Sequence, residues 1–148
     1  MNNRLEDLRE LSDFNKKEFA KILGVSDSIY ARWENGKDFI PTKRLYQIAQ
    51  FYKINIDYIL CLTNKKIDIK QNKNIDINIV SKRVQEIRND KNESLKKFAQ
   101  RLNTSASTWY AYEKGEVLIL GAFLLELCKN YNYSADWILG RTSQKYID

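Results

Sequence analysis

Residues 19–37 read Phe19-Ala20-Lys21-Ile22-Leu23-Gly24-Val25-Ser26-Asp27-Ser28-Ile29-Tyr30-Ala31-Arg32-Trp33-Glu34-Asn35-Gly36-Lys37. Two short amphipathic segments flank Gly24-Val25-Ser26. Glycine accepts the left-handed conformation that closes one helix, and a serine hydroxyl caps the free N–H groups opening the next. The spacing predicts two helices joined by a three-residue turn, the second running to about Asn35 and stopped by Gly36. Upstream, Leu5, Leu8 and Leu11 recur through a charged segment and predict an amphipathic opening helix. Asn15 with Glu18 has the form of a capping box, which starts the helix ending at Leu23. Downstream, Thr42 after Pro41 opens a fourth helix with Leu45, Ile48, Ala49 and Tyr52 inward. Asn55 is expected to cap a final turn carrying Ile56, Ile59 and Leu60.

The whole pattern occurs twice. Shifting the sequence by 79 places Phe19-Ala20 on Phe98-Ala99, Leu23 on Leu102, Ser26 on Ser105 and Glu34 on Glu113. Of the 60 positions from Arg4 to Thr63, 17 are identical to their mates, too long a period for a solenoid repeat. The second copy keeps caps at Ser94, Ser105 and Ser134, and Asn103 replaces Gly24, asparagine being the next-best residue for a left-handed cap. The expectation is an all-α chain of two tandem five-helix domains, 1–64 and 80–148, joined by a linker over 65–79. That linker holds Ile-Asp-Ile twice around a polar centre, 70–74. Such alternation suits either a β-hairpin joining two chains or an extended tether lying against a neighbouring domain.

Composition narrows the function. The 148 residues are 43% apolar with one proline and five glycines, which excludes collagen-like and low-complexity classes. Lysine and arginine number 25 against 19 acidic residues, a formal +6 that suits a polyanionic partner. With no histidine, Ser-His-Asp and Cys-His catalysis and His-containing metal sites are out. Cys61 and Cys128 have no metal-ligand spacing and read as reduced, buried thiols. There is no phosphate loop or cofactor fingerprint, so no enzyme, cofactor or metal is expected. No apolar run approaches the roughly 18 residues of a membrane span, and residues 1–7 lack a signal-peptide apolar core. A cytoplasmic protein, nucleoid-associated when bound to DNA, is expected.

The two helices around Gly24-Val25-Ser26 form a helix-turn-helix, whose second helix commonly enters the DNA major groove. With Arg32-Trp33-Glu34-Asn35-Gly36-Lys37, the string resembles the Cro/phage-repressor (XRE) family, over 4–63 and, in degraded form, over 83–142. The resemblance implies a lambda-repressor-like fold and a partner, double-stranded DNA, read by the exposed start and face of the third helix. It transfers base reading to Asp27, Ser28 and Arg32, and backbone contact to Lys16, Asn35 and Lys37; Lys17, next to Lys16, is a further candidate contact. Arg32 carries the most information, because a guanidinium bonds bidentately to guanine O6 and N7. Asp27 stands where the family has glutamine, and accepts only, as from cytosine N4. Tyr30 and Trp33 fall on the inward face and are expected in the core. The resemblance also pairs Glu34 with Arg9, repeated as Glu113 with Arg88.

In the second copy the reading positions become Ala106, Ser107 and Ala111, with Tyr110 also outward and Lys114 the first cation. Leu95 replaces Lys16, and Val117-Leu118-Ile119-Leu120 makes the following loop apolar. Ser107, Tyr110 and Lys114 are its candidate contacts, either to DNA backbone or on a face recruited to bind protein. The expected function is a DNA-binding transcriptional regulator acting as a repressor. It would pair as a homodimer through the second domain or linker, or use both copies of one chain on an asymmetric site. The competing expectation is a protein-interaction module that kept the fold without specific DNA binding.

Overall fold

The computed structural model describes residues 2–71 and 73–148. Among these the chain is all-α, with ten helices and two isolated antiparallel bridges. It divides into two compact units, one of 1–72 with 147–148 and one of 73–146.

The first unit holds α1 (Leu5–Leu11), α2 (Lys16–Leu23), α3 (Asp27–Glu34), α4 (Thr42–Tyr52) and α5 (Ile56–Ile59). The capping box forms in full: Asn15 Oδ1 accepts from the Glu18 amide at 2.8 Å, and Glu18 Oε1 from the Asn15 amide at 3.0 Å. Gly24 ends α2 at φ 77°, and Ser26 Oγ accepts from the Ile29 amide at 3.2 Å to open α3. Phe19, Leu23, Tyr30, Trp33, Leu45 and Ile48 close the core between α2, α3 and α4. Each such side chain contributes roughly 1.5–3 kcal/mol on burial. Phe19 meets Tyr30 edge-on at 5.4 Å between ring centroids, which fixes the angle of α2 against α3.

Three details depart from the spacing argument. Leu11 is 78% exposed, because α1 ends there and its inward stripe is Leu5, Leu8 and Arg9. Tyr52 is half-buried: its hydroxyl donates to the Leu8 carbonyl at 3.1 Å at the edge of the core. Asn55 stands at the start of α5 without capping it. Its amide instead accepts from the Ile67 N–H at 2.9 Å and donates to the Lys65 carbonyl at 3.0 Å.

Those two bonds also position the start of the linker. Residues 65–69 lie extended against 53–55, with one bridge between Ile54 and Asp68, so the first Ile-Asp-Ile closes the first unit. The second runs into a helix: Asp76 caps it through the Asn78 amide at 2.9 Å, and Ile77 is its first residue. Among the described residues no hairpin forms; Asn72, in the polar centre, lies outside them. Of the two alternatives, residues 65–69 take the extended one, lying against the first unit.

The second unit contains α6 (Ile77–Asp90), α7 (Leu95–Arg101), α8 (Ala106–Lys114), α9 (Gly121–Tyr131) and α10 (Ala135–Ile138). Its first helix therefore starts three residues before position 80. Ser94, Ser105 and Ser134 cap α7, α8 and α10, and Asn103 takes φ 56° between α7 and α8. Phe98, Leu102, Trp109 and Tyr112 occupy its core. Cys128 is buried and Cys61 only half-buried; both are free thiols. No helix among the described residues is long and apolar enough to cross a membrane.

Candidate nucleic-acid interface

The α3 helix has two faces because its apolar positions are spaced three apart. Tyr30 and Trp33 point into the core, which turns Asp27, Ser28, Ile29 and Arg32 to solvent. Ser28 and Arg32 are four residues apart, so they stack on one stripe. The Ser28 hydroxyl lies 3.3 Å from that of Ser26, anchoring it beside the helix start. Ile29, 48% exposed, shares this surface, an apolar side chain among polar ones.

A buried ion pair holds the far end of the helix. Arg9 donates from Nε and Nη2 to Glu34 at 3.0 and 2.9 Å, and from Nη1 to the Phe14 carbonyl at 2.9 Å. Burial pushes the Glu34 carboxyl up, but the Arg9 hydrogen bond, the adjacent Tyr30 hydroxyl and the charges of Arg9 and Lys16 outweigh it. The net result is a carboxyl held below its usual range.

Lys16 and Lys17 are exposed on the first turn of α2. Asn35 follows α3 directly, its N–H bonded to the Ala31 carbonyl at 3.0 Å and its side chain exposed. Lys37 is exposed, and its N–H bonds the Arg32 carbonyl at 2.9 Å, so the loop returns over the last turn. Asn35 and Lys37 thus lie at the end of α3, and Lys16 and Lys17 at the start of α2.

Arg32 is not a free side chain. Asp38 receives its Nε at 2.5 Å and Nη2 at 3.0 Å, with both groups about half exposed. The hydrogen bond to Asp38 raises the Arg32 pKa, and Arg32 in turn holds the Asp38 carboxyl below the usual carboxylate range. Asp38 is the neighbour of Arg32 that the sequence alone does not point out. The available signal was its position directly after Lys37, where the chain turns back toward α3.

Residues 2–65 match the family model of a helix-turn-helix domain. The match covers α1 to α5 and supports reading this part of the chain as a helix-turn-helix domain. Over 72 residues the chain is 29% identical to the protein named "Uncharacterized HTH-type transcriptional regulator YobD" of Bacillus subtilis (strain 168), covering 49% of this chain. The chain spans 64% of that relative's length. No solved structure matches the chain significantly.

Outside the matched residues, the face at the same register in the second unit differs. Ala111 stands in place of Arg32 and Val117 in place of Asp38. Ser107 is exposed, its hydroxyl 3.1 Å from that of Ser105. Lys114 lies over the exposed Tyr110 ring at 5.4 Å, and the two border a hollow of about 250 Å³ with Gln85, Leu95 and the Arg88–Glu113 pair. Val117 and Leu120 are more than half exposed, and Leu118 is partly buried. Ser107, Tyr110 and Lys114 thus share one helix, with the exposed apolar side chains of Val117 and Leu120 in the loop that follows it.

Proposed function

We propose that the chain is a DNA-binding transcriptional regulator whose first unit reads double-stranded DNA through α3 in the major groove, acting as a repressor by occupying its site. The observation that carries this is the division of α3. Its aromatic residues are spent on the core, and an exposed stripe of Ser28, Ile29 and Arg32 is left where a helix-turn-helix meets base edges. Arg32 suits guanine, Ser28 a base edge or phosphate, and Ile29 a thymine methyl. Lys16, Lys17, Asn35 and Lys37 supply backbone contacts, and the relative's printed name supports the regulatory role.

One head of this size buries roughly 600–1,000 Å² on DNA, little for tight site-specific binding. Two heads are therefore required. The second unit, read as a degenerate domain of the same kind, pairs two chains and presents both first units to a palindrome. Its exposed Tyr110, Val117 and Leu120, with no cation on the face before Lys114, support a protein-facing role.

The competing reading, a protein-interaction module without specific DNA binding, draws on the carboxylates of Asp27 and Asp38 beside the reading stripe. Salt separates the two. For a DNA reader, log affinity falls linearly with log salt, and an enriched duplex retains an advantage over a scrambled one throughout. Binding equal for both duplexes and abolished near about 150 mM salt would favour the interaction module.

A further inference from the structure

The Arg32–Asp38 pair is built with an unused edge. A guanidinium has five N–H donors in one plane. Asp38 occupies the side formed by Nε and one N–H of Nη2. Both N–H groups of Nη1 and the outer N–H of Nη2 have no partner among the described residues. Those two nitrogens form the end of the fork, and its parallel N–H pair matches the spacing of guanine O6 and N7.

The pair is not needed to close the loop that carries it. In the first unit the Arg32 carbonyl accepts from the N–H groups of Lys37 and Asp38, at 2.9 and 3.2 Å. In the second unit the Ala111 carbonyl accepts from Glu116 at 3.0 Å, so the turn persists although alanine and valine replace both partners. The carboxylate is therefore free to serve the arginine. It also offsets the charge of Arg32, so docking on a phosphate, which needs charge alone, gains less than docking on a guanine edge, which needs direction.

Resting on the DNA-reading role of α3 above, we propose that Asp38 is a specificity-determining positioning residue, which holds the Arg32 guanidinium by its Nε–Nη2 side and presents the Nη1–Nη2 end to one guanine. Asp38 itself does not touch the base. Its second effect is repulsive, since a carboxylate beside the groove disfavours duplexes that offer no guanine to engage Arg32.

The experiment uses the full chain with a duplex enriched by the wild type from a random pool, the same duplex with each guanine replaced in turn, and a scrambled duplex. Wild type, Arg32→Ala, Asp38→Asn and Asp38→Ala are compared by fluorescence anisotropy, with thermal melting as the check on folding. In the wild type one guanine replacement is expected to weaken binding about tenfold or more, and Arg32→Ala to abolish that penalty. Asp38→Ala should cut the penalty to about threefold or less while tightening the scrambled duplex about twofold or more, with Asp38→Asn between. A role in folding alone would weaken both duplexes and lower the melting temperature. A full guanine penalty in Asp38→Ala, or equal tightening of both duplexes, would overturn the proposal. A wild type that enriches no duplex would overturn the DNA-reading role and the proposal together, an outcome distinct from failure of Asp38 alone.

Discussion

Arg9 and Glu34 join the first helix to the last residue of α3 through two parallel hydrogen bonds, of 3.0 and 2.9 Å, with only 1% of the Glu34 side chain exposed. Arg88 and Glu113 repeat the arrangement at 2.7 and 2.9 Å in the second unit. The pair fixes where α3 ends and hence which side chains it presents. Removing one partner leaves a buried charge without its counter-ion. Arg9→Ala is expected to destabilise the first unit by about 3 kcal/mol, measured by urea unfolding. The double variant Arg9→Ala/Glu34→Ala should lose clearly less than the sum of the two single variants.

The same pair sets an acid limit. Glu34 titrates below its unfolded value, near 4.3, so its contribution is complete above that pH and is lost as pH falls through the lower folded value. Stability of the wild type should drop steeply below about pH 4, and Glu34→Gln should lack that part of the drop. Urea midpoints between pH 3 and 6 measure it; parallel curves for the two proteins would refute it.

Gly24 has φ 77° and open space around the position a Cβ would take, so substitution there meets backbone strain alone. Gly24→Ala should cost about 1 kcal/mol in unfolding free energy, and Gly24→Asn less. Asn103, at φ 56° at the same place in the second unit, is the natural precedent.

Much of this architecture was legible because it rests on local chemistry. Caps at Asn15, Ser26, Ser94 and Ser105, and left-handed stops at Gly24 and Asn103, depend on neighbours a few residues away, and the duplication made each visible twice. The errors came where a side chain chose a distant partner. Asn55 has the look of a cap, yet its amide holds residues 65 and 67, because an extended segment there offers it two bonds instead of one. Arg4 and Arg83, identical in the two copies, each lie over an aromatic ring, Tyr58 at 4.0 Å and Trp137 at 5.0 Å, a contact more than fifty residues away in sequence that no local pattern signals.

Lys37 is expected to act through phosphate alone. Lys37→Ala should weaken enriched and scrambled duplexes by a similar factor and reduce the slope of log affinity against log salt by about one. A loss confined to the enriched duplex would assign Lys37 to base reading instead.

Selection from a random duplex pool, with wild type beside Arg32→Ala and Lys114→Ala, tests most directly whether α3 of the first unit reads DNA. The expected result is a palindromic site that Arg32→Ala no longer enriches and Lys114→Ala still does. No enrichment by the wild type, with residual binding gone at about 150 mM salt, would contradict it and direct attention to a protein partner.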